Sequence, residues 1–397
     1  MKDLKHLYRF ETLLQEAHNE LVQRALDDGR RALGYTCYYI PETLLNLEGC
    51  FSVRLRAPRS GSPDVATYYM TNRTCPFSRS LLERAVEGGF HFLSAFFGSE
   101  TCATMDRAQE HLTLLNLIKN EQFFATHLDA PLKSDADSLK FYKSQLRLKV
   151  LEPLERTYGV DISDGAIQRA IEQHNRLCRI MGEIGALRKA ENPAVTGYEF
   201  HVLNLVSQCC PQYLVLDMLE ETLAELRRRA PDPKPSWRAR VVLTGSEVDD
   251  PAFIKLLEDC GALVVAARFC YGSIPGREPI GRREGESAFD AVARHYLDTN
   301  QCPRFMSEEK VQGRRALVQK LFTEYQADGV IYESMKFCEF WGYERALASH
   351  VLANEMQIPC CTIEKEYTIG SMGQLRTRFQ AFVESLEYKK LARAKEV

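Results

Sequence analysis

The sequence contains no C-x-x-C pair, although 13 of its 397 residues are cysteine. This absence excludes the local cysteine motifs of zinc ribbons, ferredoxins and thioredoxin-like proteins. Neither G-x-x-x-x-G-K-[ST] nor G-x-G-x-x-G occurs, which argues against an ATP site of the P-loop kind and a Rossmann dinucleotide site. The nine histidines show no metal-ligand spacing. Any metal site must therefore draw on cysteines that are far apart in the chain.

The chain also lacks a strong charge imbalance and long apolar runs. The formal net charge is −3, which gives no support to binding of nucleic acid or of an acidic membrane surface. No run approaches the roughly 18 apolar residues of a membrane helix. The N-terminal residues lack the apolar core and cleavage site of a signal peptide. We therefore expect a cytoplasmic protein with reduced thiols, no nucleic-acid partner and no membrane contact.

Five cysteines are predicted to lie where a strand-like run ends and a helix-like run begins: Cys37, Cys75, Cys102, Cys270 and Cys338. In open α/β sheets this edge is where ligands sit, and helix N-termini there stabilise negative charge. Thiolates gathered at such an edge suit an iron–sulfur cluster. Six other cysteines are interpreted as small buried apolar residues, namely Cys178, Cys209, Cys210, Cys260, Cys360 and Cys361.

The order of apolar patterns predicts an α/β fold in which two parallel-sheet domains flank a helical segment. Residues 1–32 are predicted to form one N-terminal helix, and residues 33–135 the first cluster-binding domain. Residues 136–236 are predicted to form helices and a Pro-rich linker, and residues 237–397 the second cluster-binding domain. The length of the chain agrees with more than one core.

Two smaller features have mainly structural interpretations. Thr244-Gly245-Ser246 follows a predicted strand, and a tight turn is favoured there over an anion site. Glu42 follows Pro41 in the first turn of a predicted helix, where its charge favours the helix dipole. A catalytic role for Glu42 is the weaker interpretation, and no catalytic residue is assigned.

Several motifs occur together in a specific order: Tyr38-Tyr-Ile-Pro41-Glu42, Thr74-Cys75-Pro76-Phe77-Ser-Arg79, Thr101-Cys102, Asp328-Gly-Val-Ile331 with Lys336-Phe-Cys338, and Gly373-Gln-Leu-Arg-Thr-Arg378. In these residues the chain resembles the iron–sulfur subunits of 2-hydroxyacyl-CoA dehydratases and ATP-dependent (class I) benzoyl-CoA reductases. The resemblance covers about residues 33–387.

The resemblance implies two flavodoxin-like domains with a cluster at their interface. Cys75, Cys102 and Cys338 would hold a [4Fe–4S] cluster, with one iron left open. The resemblance also implies a homologous second subunit, an acyl-CoA substrate, and a separate activator that hydrolyses ATP and delivers electrons. The absence of a P-loop from this chain agrees with ATP hydrolysis by a separate activator.

A second set of cysteines leaves the cofactor open between two alternatives. Cys37, Cys270 and Cys302 match the additional ligands of the double-cubane branch of this family, in which six cysteines hold an [8Fe–9S] cluster. The sequence favours neither the single nor the double cubane.

The sequence departs from the usual family pattern at Ala103, at Ser94-Ala95 and at Ile274. These departures affect the assignment of the substrate more than the prediction that the chain binds a cluster. The main prediction is an oxidoreductase subunit, of the benzoyl-CoA reductase type. The alternatives are an (R)-2-hydroxyacyl-CoA dehydratase subunit, which is a lyase, a double-cubane electron-relay protein, and an α/β protein with incidental cysteines.

Overall fold

The computed structural model describes residues 3–58, 60–271, 278–367 and 372–396. Two four-stranded sheets form its framework. The first sheet contains β1 (Arg31–Tyr35), β2 (Cys50–Arg54), β3 (Ala95–Glu100) and β4 (Phe124–Asp129). The second contains β5 (Ala239–Glu247), β6 (Ala262–Tyr271), β7 (Gly329–Met335) and β8 (Cys360–Lys365).

Both sheets are parallel and have the same strand order. The first runs β2-β1-β3-β4 and the second β6-β5-β7-β8. This is the flavodoxin-like order, in which the connection reverses direction between the first and third strands. The α/β architecture with two parallel sheets is therefore confirmed, and the second half of the chain repeats the first in topology.

The N-terminal region differs from its prediction as a single helix over residues 1–32. It forms two short helices, and β1 already begins at Arg31. The break is local in origin, because the Asn19 side chain accepts hydrogen bonds from Leu21 N and Val22 N and so starts a new helix. The helices up to the end of the first sheet are α1 (Leu7–Leu13), α2 (Glu20–Asp27), α3 (Glu42–Leu45), α4 (Asp64–Met70), α5 (Pro76–Val86) and α6 (Ala103–Leu114).

Helices dominate the region between the sheets, as predicted. They are α7 (Ala136–Leu146), continued by a π-helical turn (Arg147–Leu151) into α8 (Glu152–Tyr158), then α9 (Asp164–Ala186), α10 (Gly197–Cys209) and α11 (Gln212–Leu226). Gly159 ends α8 with a φ of 67°, and the Ser163 hydroxyl accepts from Ala166 N at the start of α9. Both caps agree with the sequence.

The central helix α10 was not predicted. Nearly all of its side chains are buried, so it shows no contrast between an apolar and a polar face. It packs against β2 and β6, one strand from each sheet. This helix therefore joins the two sheets through the interior.

The second sheet is surrounded by α12 (Pro251–Asp259), α14 (Glu308–Glu324), α15 (Glu339–Asn354) and α16 (Met372–Glu396). Helix α13 (Ala288–Asp298), which the sequence assigned to the second domain, packs instead against α7 and α9 and shares a core with the first sheet. Thr244-Gly245-Ser246 does not form the predicted tight turn but continues β5 to Glu247. Among the described residues, no helix combines the length and the apolar character that a membrane crossing requires.

Candidate functional site

One cavity of about 80 Å³, here called the cysteine cavity, lies between the carboxyl ends of the two sheets. Its lining includes residues from the ends of β1, β3, β5, β6 and β7. All six cysteines predicted as ligands line it: Cys37, Cys75, Cys102, Cys270, Cys302 and Cys338. The structure thus brings together residues that are up to about 300 positions apart in sequence.

Three of the six cysteines begin helices. Cys75 is the N-cap residue of α5, Cys102 of α6 and Cys338 of α15. None of the three sulfurs accepts a cap hydrogen bond, but first-turn N–H groups lie near enough to lower the thiol pKa, for example those of Phe77 and Ser78 at Cys75. The partial positive charge of the helix N-terminus thus lowers the pKa of these thiols, but burial raises it by more.

The other three cysteines lie on strand ends and loops. Cys37 follows β1, and Cys270 is the penultimate residue of β6. Cys302 lies between α13 and α14, where its N–H donates to Asn300 Oδ1 at 2.9 Å.

The predicted strand-to-helix position holds for only some of the cysteines. It is confirmed at Cys37, Cys102 and Cys338 but is wrong for Cys75, which follows α4 rather than a strand. Ile274 and its neighbours, residues 272–277, lie outside the described residues. The helix predicted after Cys270 therefore stays a prediction.

The repeated topology relates two pairs of these cysteines. Cys102 follows the third strand of the first sheet, and Cys338 follows the third strand of the second. Cys75 precedes the helix that leads into β3, as Cys302 precedes the helix that leads into β7. The two halves of the chain therefore contribute thiols to the cavity from equivalent positions in their topology.

The effects of neighbouring sulfurs on each other's thiol pKa suggest two overlapping sets of three. Cys75 and Cys102 contribute to the raised pKa of the Cys338 thiol, and these three cysteines are here called the first trio. Cys302 and Cys37 contribute to the raised pKa of the Cys270 thiol, and these three cysteines are here called the second trio. Cys102 also contributes to the raised pKa of Cys302, so the two trios lie next to each other. Each trio takes cysteines from both halves of the chain.

Cys75 is buried, and the other five cysteines of the cavity are half-buried. Burial, with a smaller contribution from Cys102, raises the pKa of the Cys75 thiol to about 12. Burial and the nearby Cys37 raise the pKa of Cys302 to about 12 as well, and burial raises that of Cys270 well above its ordinary value. Since metal ligation requires thiolates, a bound metal group would have to displace these protons.

The six thiols of the cavity suit a cluster of several metal ions better than a single metal ion. In the described part of the chain, no three Cys, His, Asp or Glu side chains are arranged to hold one metal ion. Ligands of one ion must crowd around a single centre, whereas each thiolate of a cubane binds a different iron. Six convergent thiols around a cavity, without such crowding, therefore agree with a polynuclear group.

Sequence reasoning missed the polar residues of the cavity wall. Glu247 lies at the end of β5, and burial raises the pKa of its carboxyl to about 7. The Ser246 hydroxyl donates to Glu333 Oε1 at 3.0 Å and accepts from Met335 N at 2.7 Å. The position of Thr244-Gly245-Ser246 after a strand was the available signal, but it was interpreted as a turn.

The remaining residues singled out from the sequence lie outside the described lining of this cavity. Glu42 is buried, accepts a hydrogen bond from Tyr35 at 2.9 Å and lies 3.6 Å from His174 Nδ1. Its surroundings agree with the structural interpretation. The six cysteines interpreted as apolar residues are buried or half-buried, and none of them belongs to the described lining of the cysteine cavity.

Comparison with known proteins agrees with this geometry. The family model described as "2-hydroxyglutaryl-CoA dehydratase, D-component" matches residues 37–386. The chain belongs to this family. The match includes all six cysteines of the cavity and the strands β2 to β8, whereas β1 ends just before it begins.

Three curated relatives illustrate the similarity. The (R)-phenyllactyl-CoA dehydratase beta subunit of Clostridium sporogenes is 23% identical over 95% of this chain and 97% of its own length. The putative dehydratase subunit YjiM of Escherichia coli is 23% identical, with 89% and 91% covered. The (R)-2-hydroxyglutaryl-CoA dehydratase subunit beta of Acidaminococcus fermentans is 23% identical, with 90% and 93% covered.

Proposed function

We propose that this chain is an iron–sulfur subunit of a 2-hydroxyacyl-CoA dehydratase, a lyase. The convergence of six thiols from both halves of the chain on one cavity carries the proposal. The relatives support the dehydratase alternative better than the benzoyl-CoA reductase prediction, because each of them bears a dehydratase name. The oxidoreductase assignment made from the sequence is replaced accordingly.

The cysteine cavity has what an iron–sulfur group requires. The first trio would hold a [4Fe–4S] cluster, which supplies single electrons at a potential tuned by its surroundings. The buried side chains of Phe77 and Trp341 form apolar parts of the wall. Glu247 lies beside Cys270, and because burial raises the pKa of its carboxyl to about 7, it can take up or release a proton near neutral pH.

The assembly is part of the proposal. Several relatives are named as beta subunits, which supports a homologous partner subunit for this chain. The sequence has no P-loop, so we assign ATP hydrolysis and electron delivery to a separate activator. The substrate would be a 2-hydroxyacyl-CoA, whose acyl group the dehydratase names of the relatives do not fix for this chain.

A second candidate is a double-cubane electron-relay protein. The observation that favours it is the division of the cavity thiols into two adjoining trios. In this case the second trio would hold a second cubane, and the chain would pass electrons rather than bind substrate.

Iron and acid-labile sulfide per chain, measured on anaerobically purified protein, test the proposal. About four irons would support one cubane and the dehydratase subunit, whereas about eight irons would support the double cubane. Absence of iron after anaerobic purification and reconstitution would refute both. Dehydration of a 2-hydroxyacyl-CoA by the chain with its partner and activator then tests the lyase reaction.

Two variants test the ligand set. Cys338→Ala should lose the EPR signal of the reduced cluster, because it removes a member of the first trio. Cys178→Ala is the matched control, since this buried thiol lies outside the cavity and contacts His174 Nε2 at 3.2 Å. Loss of iron from Cys178→Ala but not from Cys338→Ala would show that the ligand assignment is wrong.

A further inference from the structure

Two buried arginines flank the second trio. Arg54 is 3% exposed and Arg268 is 0% exposed. Their Nη2 atoms donate to the carbonyl oxygens of Cys270 at 2.7 Å and of Gln301 at 2.5 Å, respectively, and Gln301 directly precedes Cys302. Within the described part of the chain, no carboxylate oxygen lies within 4.0 Å of either guanidinium. Both positive charges are therefore fixed against the backbone that carries two of the three sulfurs.

Arg268 has the fewest partners of the two. Among the described residues, its Nε and Nη1 have no hydrogen-bond partner. Its guanidinium carbon lies 5.0 Å from the centre of the Trp341 ring, which lines the cysteine cavity. Burial lowers the pKa of Arg268, and Glu344, whose charge opposes this effect, already forms an ion pair with Arg314 at 2.9 Å. That pair is neutral as a whole, so the charge of Arg268 remains uncompensated.

A buried cation of this kind normally has an anionic partner, because the interior of a protein solvates a charge poorly. Glu247 can offset the charge of Arg54 when its carboxyl is ionised, which leaves Arg268 as the uncompensated cation. The thiols of the metal-free chain are neutral, whereas sulfurs that bind a metal are thiolates. A metal group in the cysteine cavity would therefore supply the negative charge that the arginines lack.

The two trios differ in their source of positive charge. Each cysteine of the first trio is the N-cap residue of a helix, and helix N-termini carry partial positive charge. None of the described helices begins at a cysteine of the second trio. Arginine side chains take this place there, and the half-buried Arg304, two residues after Cys302, adds a third one. Its Nη1 donates to the carbonyl oxygen of Ala130 at 2.8 Å.

We propose that Arg268, together with Arg54, is a fixed counter-charge for the metal group of the cysteine cavity and raises its reduction potential from the side of the second trio. The inference rests on the proposed iron–sulfur function, and it applies to one cubane and to two. Reduction adds one electron, and hence one negative charge, to the group. A fixed positive charge nearby therefore stabilises the reduced form more than the oxidised form.

A redox titration of the anaerobically reconstituted full chain, followed by EPR, measures this effect. Arg268→Gln keeps a hydrogen-bond donor but removes the charge. At a given applied potential, the ratio of reduced to oxidised group should therefore fall at least about tenfold, which corresponds to about 59 mV for one electron. Arg268→Lys keeps both the charge and a donor, so its ratio should stay within about threefold of the wild-type ratio.

Arg188 offers a matched control. It is buried, donates to the carbonyl oxygen of Val264 at 3.4 Å and lies 3.7 Å from the centre of the Phe200 ring. Val264 is near the start of β6 and Cys270 is near its end, so about 20 Å of strand separates this arginine from the second trio. Arg188→Gln should titrate as the wild-type chain does.

A second variant covers the case in which Arg268→Gln does not fold. Arg304 is half-buried and binds only backbone carbonyls among the described residues, so its replacement disturbs the core less. Arg304→Gln should lower the ratio of reduced to oxidised group in the same direction, by at least about threefold.

The outcomes separate charge from shape. Loss of iron from Arg268→Gln but not from Arg268→Lys would also support the inference, because the group would then need the charge in order to bind. A ratio in Arg268→Gln, or in Arg304→Gln where the former does not fold, that equals the wild-type ratio would overturn it. Equal changes in Arg268→Gln and Arg268→Lys would overturn it as well, since the shape of the guanidinium would then matter rather than its charge.

These failures differ from a failure of the proposed function. In each of them the wild-type chain still holds its iron, and the dehydratase proposal stands. Absence of iron from the reconstituted wild-type chain would instead refute the proposed function, and the inference about the arginines would fall with it.

Discussion

Arg54 is the side chain whose loss should most directly disturb the junction of the two sheets. Its guanidinium is buried and donates to the carbonyls of Thr36 at 3.2 Å and Cys270 at 2.7 Å, and to Gln208 Oε1 at 3.1 Å. It also lies 4.1 Å from the centre of the Tyr271 ring. One residue of the first sheet thus fixes the backbone next to Cys37 and at Cys270, two members of the second trio.

The cost of removing this guanidinium can be worked from its partners. Arg54→Met retains much of the aliphatic packing but leaves three buried oxygens without their donor, at about 1–3 kcal/mol each. Because neighbouring groups relax together, we expect a total loss of about 3–5 kcal/mol in the free energy of unfolding, below the upper end of that sum.

Urea denaturation of the metal-free chain measures this loss, and iron per chain measures its effect on the cavity. Arg169→Met is the control, because Arg169 has exposed carboxylate partners at 3.5 and 3.8 Å. Such pairs contribute about 0–1 kcal/mol. A loss below about 1 kcal/mol in Arg54→Met, or one equal to that of the control, would refute the role of Arg54 at the junction.

Two further predictions concern folding. Gly245 has a φ of 157°, and a Cβ there would collide with the Glu333 carbonyl oxygen, so Gly245→Ala should lose more than about 2 kcal/mol in urea denaturation. Gly182→Ala, with open space around a helical position, should instead gain about 0.5–1 kcal/mol, and equal stabilities of the two variants would contradict the packing argument. Burial raises the pKa of Glu258 to about 7, above its unfolded value of about 4.3, so its stabilising contribution is complete below pH ~4 and is lost as the pH rises through 7. The stability advantage of the wild-type chain over Glu258→Gln should therefore decrease by roughly 3 kcal/mol over this range, and a difference independent of pH would refute the buried-carboxyl explanation.

Local signals were sufficient for much of the fold. Buried apolar runs alternating with amphipathic ones predicted parallel sheets, and Gly159, Ser163 and Pro76 marked helix ends that the structure confirms. These signals are readable because a cap or a first-turn proline acts on its own neighbours in sequence. Where the local signal was weak, as in the uniformly buried α10, the prediction failed.

The candidate site was predictable in its cysteines but not in its surroundings. All six cysteines named from the sequence line the cavity, because strand ends and helix starts of parallel sheets share one edge. Their division into two trios depends on which cysteines of one half approach which of the other. The family resemblance implied the same two sets of cysteines, whereas spacing along the chain did not. The sequence could not identify Arg54, whose three acceptors come from distant segments.

The sequence by itself therefore determined the α/β class, the family and the set of cysteines, since each depends on residue types and spacing along the chain. Only the tertiary structure decided the pairing of the two sheets and the buried polar wall of the cysteine cavity. The physical reason is that periodicity shows which face of an element is buried, but not which distant element covers it.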